Sequence, residues 1–389
     1  MSMTTRTYMD WNATAPLLPA VRDALVSALE MSGNPSSVHK EGRAVRAAIE
    51  SARRDVAALV GAQASHVVFT SGATEAANLV LSPLFKMGRA SLNIGHLYVS
   101  AIEHPALREG GRFERSNVTE VPVTHQGLVD LTALEALLVG HDAVSGLPMV
   151  ALMLVNNETG VIQPVEEAAK LVHAAGGLMV VDAVQAVGRI PVDIEALGAD
   201  FLIISSHKIG GPKGVGALIS RGEVMMPKPL IHGGGQEKGH RSGTENTLGI
   251  LGFGVAATEA AQRLDTESER LAGLRMQLEN AMRAAAPDVI IHGADVQRVA
   301  NTTFFTLPGL KSETGQIAFD IEGVALSAGS ACSSGKVGES HVLTAMGHDP
   351  KLGALRISLG HATTDDDIEK AIKAFAKIAG RRKLSGQAA

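Results

Sequence analysis

The stretch "VALMLVNNETGVIQPVEEAAKLVHAAGGLMVVDAVQ", residues 150–185, decides the fold. Its two apolar runs, 150–155 and 178–182, read as buried strands, because neither alternates with polar residues. An amphipathic stretch lies between them. The same alternation continues outward, with "HVVFT" (66–70), "LYVSA" (97–101) and "FLIIS" (201–205) as further buried strands. In "EGRAVRAAIESARRDVAALVG" (41–61), Val45, Ile49, Ala52, Val56 and Leu59 fall on one helical face, and Gly61 supplies the stop. Strands alternating with helices predict an α/β domain with a mostly parallel sheet covered on both sides.

The pattern changes near residue 258. "TEAAQRLDTESERLAGLRMQLENAMRAA" (258–285) is a long helix with Leu264, Leu271, Leu274, Leu278 and Met282 along one stripe. Shorter strands follow in "VANTTFFTL" and "ALRISLG". A closing helix begins at Thr364, with Asp367 placed to complete a capping box. We expect a large domain over 13–258 and a smaller α+β domain built from 1–12 and 259–389.

Composition narrows the function. The 389 residues are 45% apolar and 19% charged, ordinary for a soluble globular protein. A net charge of −5 argues against a nucleic-acid-binding face, which would be basic. The opening "MSMTTRTYMDWNATAPL" holds no apolar run suited to a signal peptide. The longest uncharged run, 143–157, is too short to span a bilayer. One cysteine forbids an intrachain disulfide, so a cytoplasmic setting is expected. There is no C-x-x-C and no convincing histidine pair, so no metal is expected.

Ligands of open α/β sheets gather beyond the carboxyl ends of the strands. After 66–70 come Ser71, Gly72, Ala73 and Thr74, a small-residue turn opening a helix, which suits a phosphate or simply caps the helix. After 97–101 comes His104, and after 150–155 come Asn156 and Asn157. After 178–181 come Asp182 and Gln185. A carboxylate there is costly unless a cation or hydrogen bonds meet it. After 201–205 come Ser206, His207 and Lys208, followed by a glycine turn. Desolvation would lower the lysine's pKa, as an amine nucleophile requires. "SSHKIGGPKG" is not a phosphate loop of the G-x-x-x-x-G-K-[ST] kind, so an aldehyde cofactor fits better. Pyridoxal phosphate would use all four groups: an anion cup, a planar histidine, an acid for the ring nitrogen and an amine for the aldehyde.

The sole cysteine, Cys332, sits in "SAGSACSSGK" (327–336), among serine, alanine and glycine. A structural cysteine usually has large apolar company. This one reads either as a chance surface thiol or as a reactive one.

Longer motifs span the chain: "YMDWNATAPL", "GNPSSVHKEGR", "FTSGATEAANL", "AIEHPA", "VNNETGVIQP", "VDAVQAVGRIPVD", "SSHKIGGPKGVGAL", "GGGQEKGHRSGTEN", "GSACSSG", "SHVLTAMG" and "ALRISLG". Together they resemble the cysteine desulfurases of the NifS/IscS type, within the fold-type I pyridoxal-phosphate enzymes. The resemblance implies a seven-stranded sheet in the large domain and a homodimer. It implies that Lys208 carries pyridoxal 5'-phosphate through its amine, Asp182 pairs with the ring nitrogen and His104 stacks on the ring. Asn157 and Gln185 would serve the ring's phenolic oxygen. Ala73, Thr74, Ser205 and His207 would hold the phosphate, with Thr244 reaching the phosphate of the neighbouring subunit. Arg356 would clamp the substrate carboxylate, with Asn157 beside it. Cys332 would take the sulfur of L-cysteine as a persulfide and release L-alanine, with Lys208 moving the Cα proton and His104 as an acid/base partner. The longer cysteine stretch matches the subgroup that feeds iron–sulfur assembly, so a scaffold protein is the expected acceptor, and neither nucleic acid nor membrane is a partner.

Two positions depart from the family. Gly210 replaces a bulkier residue, and Trp11 stands where asparagine or tyrosine is common. A selenocysteine lyase on the same fold is the alternative activity. An aminotransferase would have no use for Cys332, and a non-enzymatic scaffold no use for the cofactor residues.

Overall fold

The computed structural model describes residues 6–329 and 339–386, with no side chains for 383–386. Cys332 therefore lies outside the described residues. A short strand, β1 (Thr7–Tyr8), comes first. Nine strands then build one sheet: β2 (Val67–Thr70), β3 (Leu84–Met87), β4 (Ala90–Ser100), β5 (Val118–Val121), β6 (Leu147–Met153), β7 (Leu178–Asp182), β8 (Phe201–Ser205), β9 (Gly216–Ser220) and β10 (Met225–Pro227). They lie in the order β10-β3-β4-β6-β7-β8-β9-β2, with β5 beside the second half of β4. The core from β5 through β4, β6 and β7 to β8 is parallel, whereas β9 and β2 run antiparallel.

The seven strands of the resemblance are present, and β3 with β10 adds an antiparallel ribbon at one edge. Strand β6 stops at Met153 rather than at 155. Beyond it Leu154 N–H turns to the carbonyl of Asp182, and Val155 bridges to Ile162. Apolar side chains cover both faces. Val56, Ile204 and Phe253 belong to one layer, and Leu79, Val99 and Phe201 to the other.

A second, four-stranded sheet holds β11 (Ile290–Ile291), β12 (Thr302–Thr306), β14 (Ser327–Ala328) and β15 (Leu355–Ser358), in the order β11-β12-β15-β14. Strand β13 (Val324–Ala325) instead pairs in parallel with β1. Phe305, Phe319 and Phe375 form the centre of a separate core here, with edge-on ring contacts at 6.4 and 5.7 Å. The capping box of the last helix is present: Asp367 N–H donates to Thr364 Oγ1, and Thr364 N–H to Asp367 Oδ2. No helix among the described residues is long and apolar enough to cross a membrane.

The long helix spans Thr247–Ala285 and so begins well before residue 258. Glycines hide its first turns from a sequence reading, and packing explains them. A Cβ at Gly252 would lie 2.5 Å from Pro212, and one at Gly254 2.7 Å from Ala52. The Lys40–Ala58 helix thus packs directly on the long helix's backbone. The same helix anchors β2: Arg53 makes two 2.7 Å bonds to Glu237, which also accepts from Phe69 N–H. Burial disfavours the Arg53 cation, yet Glu237 and Glu50 more than offset this and raise its pKa. Removing one partner of such a buried pair strands the other charge. Glu237→Ala is therefore expected to lower stability by about 3–5 kcal/mol in urea unfolding. A loss below about 1 kcal/mol, the scale of a surface pair, would contradict this role.

Candidate active site

Polar residues at the ends of parallel strands have nowhere to go but the space above the sheet. Here they line one cavity of about 540 Å³. Ala73, Thr74, His104, Asn157, Asp182, Gln185, Ser205, His207 and Lys208 all reach it. They come from the ends of β2, β4, β6, β7 and β8, as the sequence reading expected.

Two expected residues, Thr244 and Arg356, do not line it. Thr244 faces a smaller neighbouring cavity, with Ser71, Glu237 and Arg241. Arg356 is 1% exposed and sits behind Asn157, donating to its carbonyl at 2.8 Å and to Asp10 Oδ1 at 2.7 Å. Its Nε is buried with no partner among the described residues. Cys332 falls outside the described residues.

The N-terminal segment supplies what the sequence reading missed. Asn12, 2% exposed, is the meeting point of both sheets. Its carbonyl accepts from Lys208 Nζ at 2.6 Å and from Gln185 Nε2 at 3.0 Å. Its side chain bonds Thr302 Oγ1, and Asn301 Nδ2 donates to it in turn. Lys208 Nζ also donates to the Ala13 carbonyl at 2.8 Å, and His207 Nδ1 lies 3.2 Å from Thr14 Oγ1. "DWNATAPL" belongs to the family resemblance, yet nothing in its composition marks Asn12.

Burial sets the protonation states. His104 is pushed down to about 4, by burial and then by Lys208 and His341. Ala106 N–H donates to its Nδ1 at 3.1 Å, so the neutral ring carries its proton on Nε2. His207 is likewise lowered to about 4, by burial and then by Lys208 and Lys213. Burial raises Asp182 to about 6, against the opposing Val184 N–H bond and the charge of Lys208. Glu103, fully buried, is held well above the usual carboxylate range by burial and then by Asp182.

These groups suit pyridoxal phosphate. Gln185 Oε1 is buried in the cavity wall with no partner among the described residues, where a ligand donor is wanted. The helix Ala73–Val80 begins at the cavity without a side-chain cap for the N–H groups of its first turn, and a Cβ on Gly72 would meet only open space. An amine and a carboxyl stand across the same space.

The departures have structural causes. Gly210 has φ +84°, and a Cβ there would lie 2.6 Å from Leu18. Only glycine fits without strain. Trp11 packs edge-on against His361 at 5.0 Å and donates to the Tyr8 carbonyl.

The sequence profile of the "Aminotransferase class-V" family matches residues 7–371. An IscS-like cysteine desulfurase of Mycobacterium tuberculosis is 37% identical over 98% of this chain and 98% of its own length. The crystal structure of a NifS-like protein from Rickettsia africae superposes with a TM-score of 0.86. It shares 36% identity over 96% of this chain and 99% of that one. A solved structure of SspA in complex with cysteine, 28% identical over 91% of this chain and 98% of that one, gives a TM-score of 0.73.

The raised Asp182 pKa makes a directional prediction for cofactor-free protein. A carboxyl raised on folding stabilises most below its unfolded pKa near 4, and that contribution is lost as pH rises through about 6. Asp182→Asn removes this cost, so the variant should exceed the native apoprotein at pH 7 by roughly 2–3 kcal/mol in denaturant unfolding and match it near pH 4. Equal stability of the two at both pH values would contradict it.

Proposed function

The chain belongs to the aminotransferase class-V family, and from that premise we propose that it is a cysteine desulfurase that uses pyridoxal phosphate. The observation that carries the reading is that Lys208 and Asp182 line one cavity together with Gln185, whose Oε1 has no partner among the described residues. Lys208 would hold the cofactor through its amine, with Asp182 at the ring nitrogen and His104 over the ring. Asn157 and Gln185 would bond the ring's substituents, and Ala73, Thr74, Ser205 and His207 the phosphate. When bound, the cofactor supplies an electron sink for the pair left when the substrate's Cα–H bond breaks.

The chain's own residues do the rest. A cationic ring nitrogen favours the ionised form of Asp182, lowering the pKa that burial raises. Lys208 Nζ, displaced by substrate, is the base that takes the Cα proton, and His104, neutral with its proton on Nε2, is the acid/base partner. The family resemblance assigns the α-carboxylate to Arg356, with Asn157 beside it; the guanidinium is held by the Asn157 carbonyl and Asp10, and its Nε has no partner among the described residues. A free thiol is only a few per cent ionised at neutral pH, so the site must favour the Cys332 thiolate. That thiolate attacks the substrate sulfur and the Cβ–S bond breaks. Its electron pair and a proton pass to Cβ, Lys208 returns a proton to Cα, and L-alanine leaves while Cys332 keeps the sulfur as a persulfide.

A homodimer fits the position of Thr244, which is exposed and does not line the cavity of its own chain. The family resemblance of the cysteine stretch supports a sulfur-acceptor protein such as an iron–sulfur scaffold, and the single cysteine agrees with a cytoplasmic setting. None of the relatives described above favours the selenocysteine lyase.

A single turnover with L-cysteine tests the reading on native protein and on Cys332→Ala, following absorbance, alanine and protein mass. Native protein should be yellow and gain one sulfur on Cys332, while the variant binds substrate but releases no alanine. Equal alanine from both would remove Cys332 as the acceptor and reverse the reading.

A further inference from the structure

Directly after Asn157 comes Glu158, a carboxylate that the chemistry above does not use. It is 2% exposed, and its backbone is fixed by the turn in which Asn156 Oδ1 accepts from the N–H groups of Glu158 and Thr159. Burying a carboxylate is costly, and an apolar residue would pack with less penalty. Its surroundings show what it holds. Ser340 Oγ donates to Glu158 Oε2 at 2.6 Å, and the same hydroxyl accepts from Leu343 N–H to cap the helix His341–Ala345. On the other side lies Gly329: a Cβ there would stand 2.7 Å from Glu158 Oε2 and 2.7 Å from the Phe304 ring.

Gly329 and Ser340 flank the stretch 330–338 that contains Cys332. The strand leading to Gly329, β14, pairs with β15 at Ser327 and Arg356, and Arg356 returns to the Asn157 carbonyl. One carboxylate thus touches both flanks of the sulfur-accepting stretch and adjoins the turn that lines the cavity. Burial raises Glu158 to about 7, against the opposing Ser340 hydrogen bond and the charge of Arg356.

We propose that Glu158 is a positioning residue for sulfur transfer, holding Gly329 and Ser340 in register with the cavity so that Cys332 meets the substrate sulfur. The proposal rests on the desulfurase reading. It separates two half-reactions: removal of the Cα proton, which needs Lys208 and the cofactor, and arrival of sulfur on Cys332, which needs the flanks.

The test uses holoenzyme carrying Glu158→Ala, Glu158→Gln, Ser340→Ala or Cys332→Ala, and reads both half-reactions with L-cysteine in deuterated buffer. Glu158→Ala and Ser340→Ala should slow sulfur arrival about 10- to 100-fold, the effect of roughly an ångström of misplacement. Exchange at Cα and KM should stay near native, and Glu158→Gln, which keeps an acceptor for Ser340, should recover most of the rate. Because Cys332 is the only cysteine, alkylation by iodoacetamide reads it alone, and its rate should change in the two alanine variants but not in Glu158→Gln. Equal loss of both half-reactions, or native sulfur arrival in Glu158→Ala and Ser340→Ala, would overturn the proposal. If Glu158→Ala does not fold, Ser340→Ala against Glu158→Gln decides by the same criteria. Alanine release by Cys332→Ala would instead sink the desulfurase reading, whatever the Glu158 variants do.

Discussion

The site depends on the bonding of one buried asparagine. Asn12 receives Lys208 and Gln185 on its carbonyl and reaches Thr302 and Asn301 through its side chain, while its own N–H donates to Ser358 Oγ. The first two partners belong to the nine-stranded sheet and the others to the four-stranded one. A turn closed by the Ala13 N–H bond to the Asp10 carbonyl therefore joins the two layers at the point where the amine must be aimed. Buried polar networks of this kind specify geometry when every member is satisfied. The members left unsatisfied, Gln185 Oε1 and Arg356 Nε, are the ones that the proposed chemistry gives a ligand.

Electrostatics follow from the same burial. Two carboxyls, Asp182 and Glu103, lie together beneath the cavity, and both are pushed toward their neutral forms. Two imidazoles beside Lys208 are pushed toward neutrality as well. Without a ligand the cavity disfavours charge of either sign. A bound group with a cationic ring and an anionic tail supplies the partners that the protein withholds, so ligand binding and protonation of Asp182 are linked.

Most of this was legible in the sequence, for identifiable reasons. Buried parallel strands are continuous apolar runs, so β7 and β8 could be placed within a residue, and with them Asp182 and Lys208. The phosphate turn, His104 and Gln185 followed because strand ends are where ligands gather. What escaped the reading acts through the backbone or over long range. The Asn12 carbonyl has no side-chain signature, and its partners Gln185 and Lys208 are 173 and 196 residues away in sequence. The early start of the long helix was masked by glycines whose purpose is contact with another helix. The β3–β10 ribbon joins segments more than a hundred residues apart, which no local pattern announces. Glu158 lay inside a motif that was recognised, but its partners Gly329 and Ser340 emerge only from the packing of the two sheets.

The central claim is that Lys208 is the amine this architecture prepares for an aldehyde cofactor. Lys213 lines the same cavity and is the natural control. Pyridoxal phosphate added to the protein, fixed by borohydride reduction and located by peptide mass, tests it directly. The account predicts one label per chain, on Lys208, lost in Lys208→Ala. A label on Lys213, or no stoichiometric label at all, would contradict it.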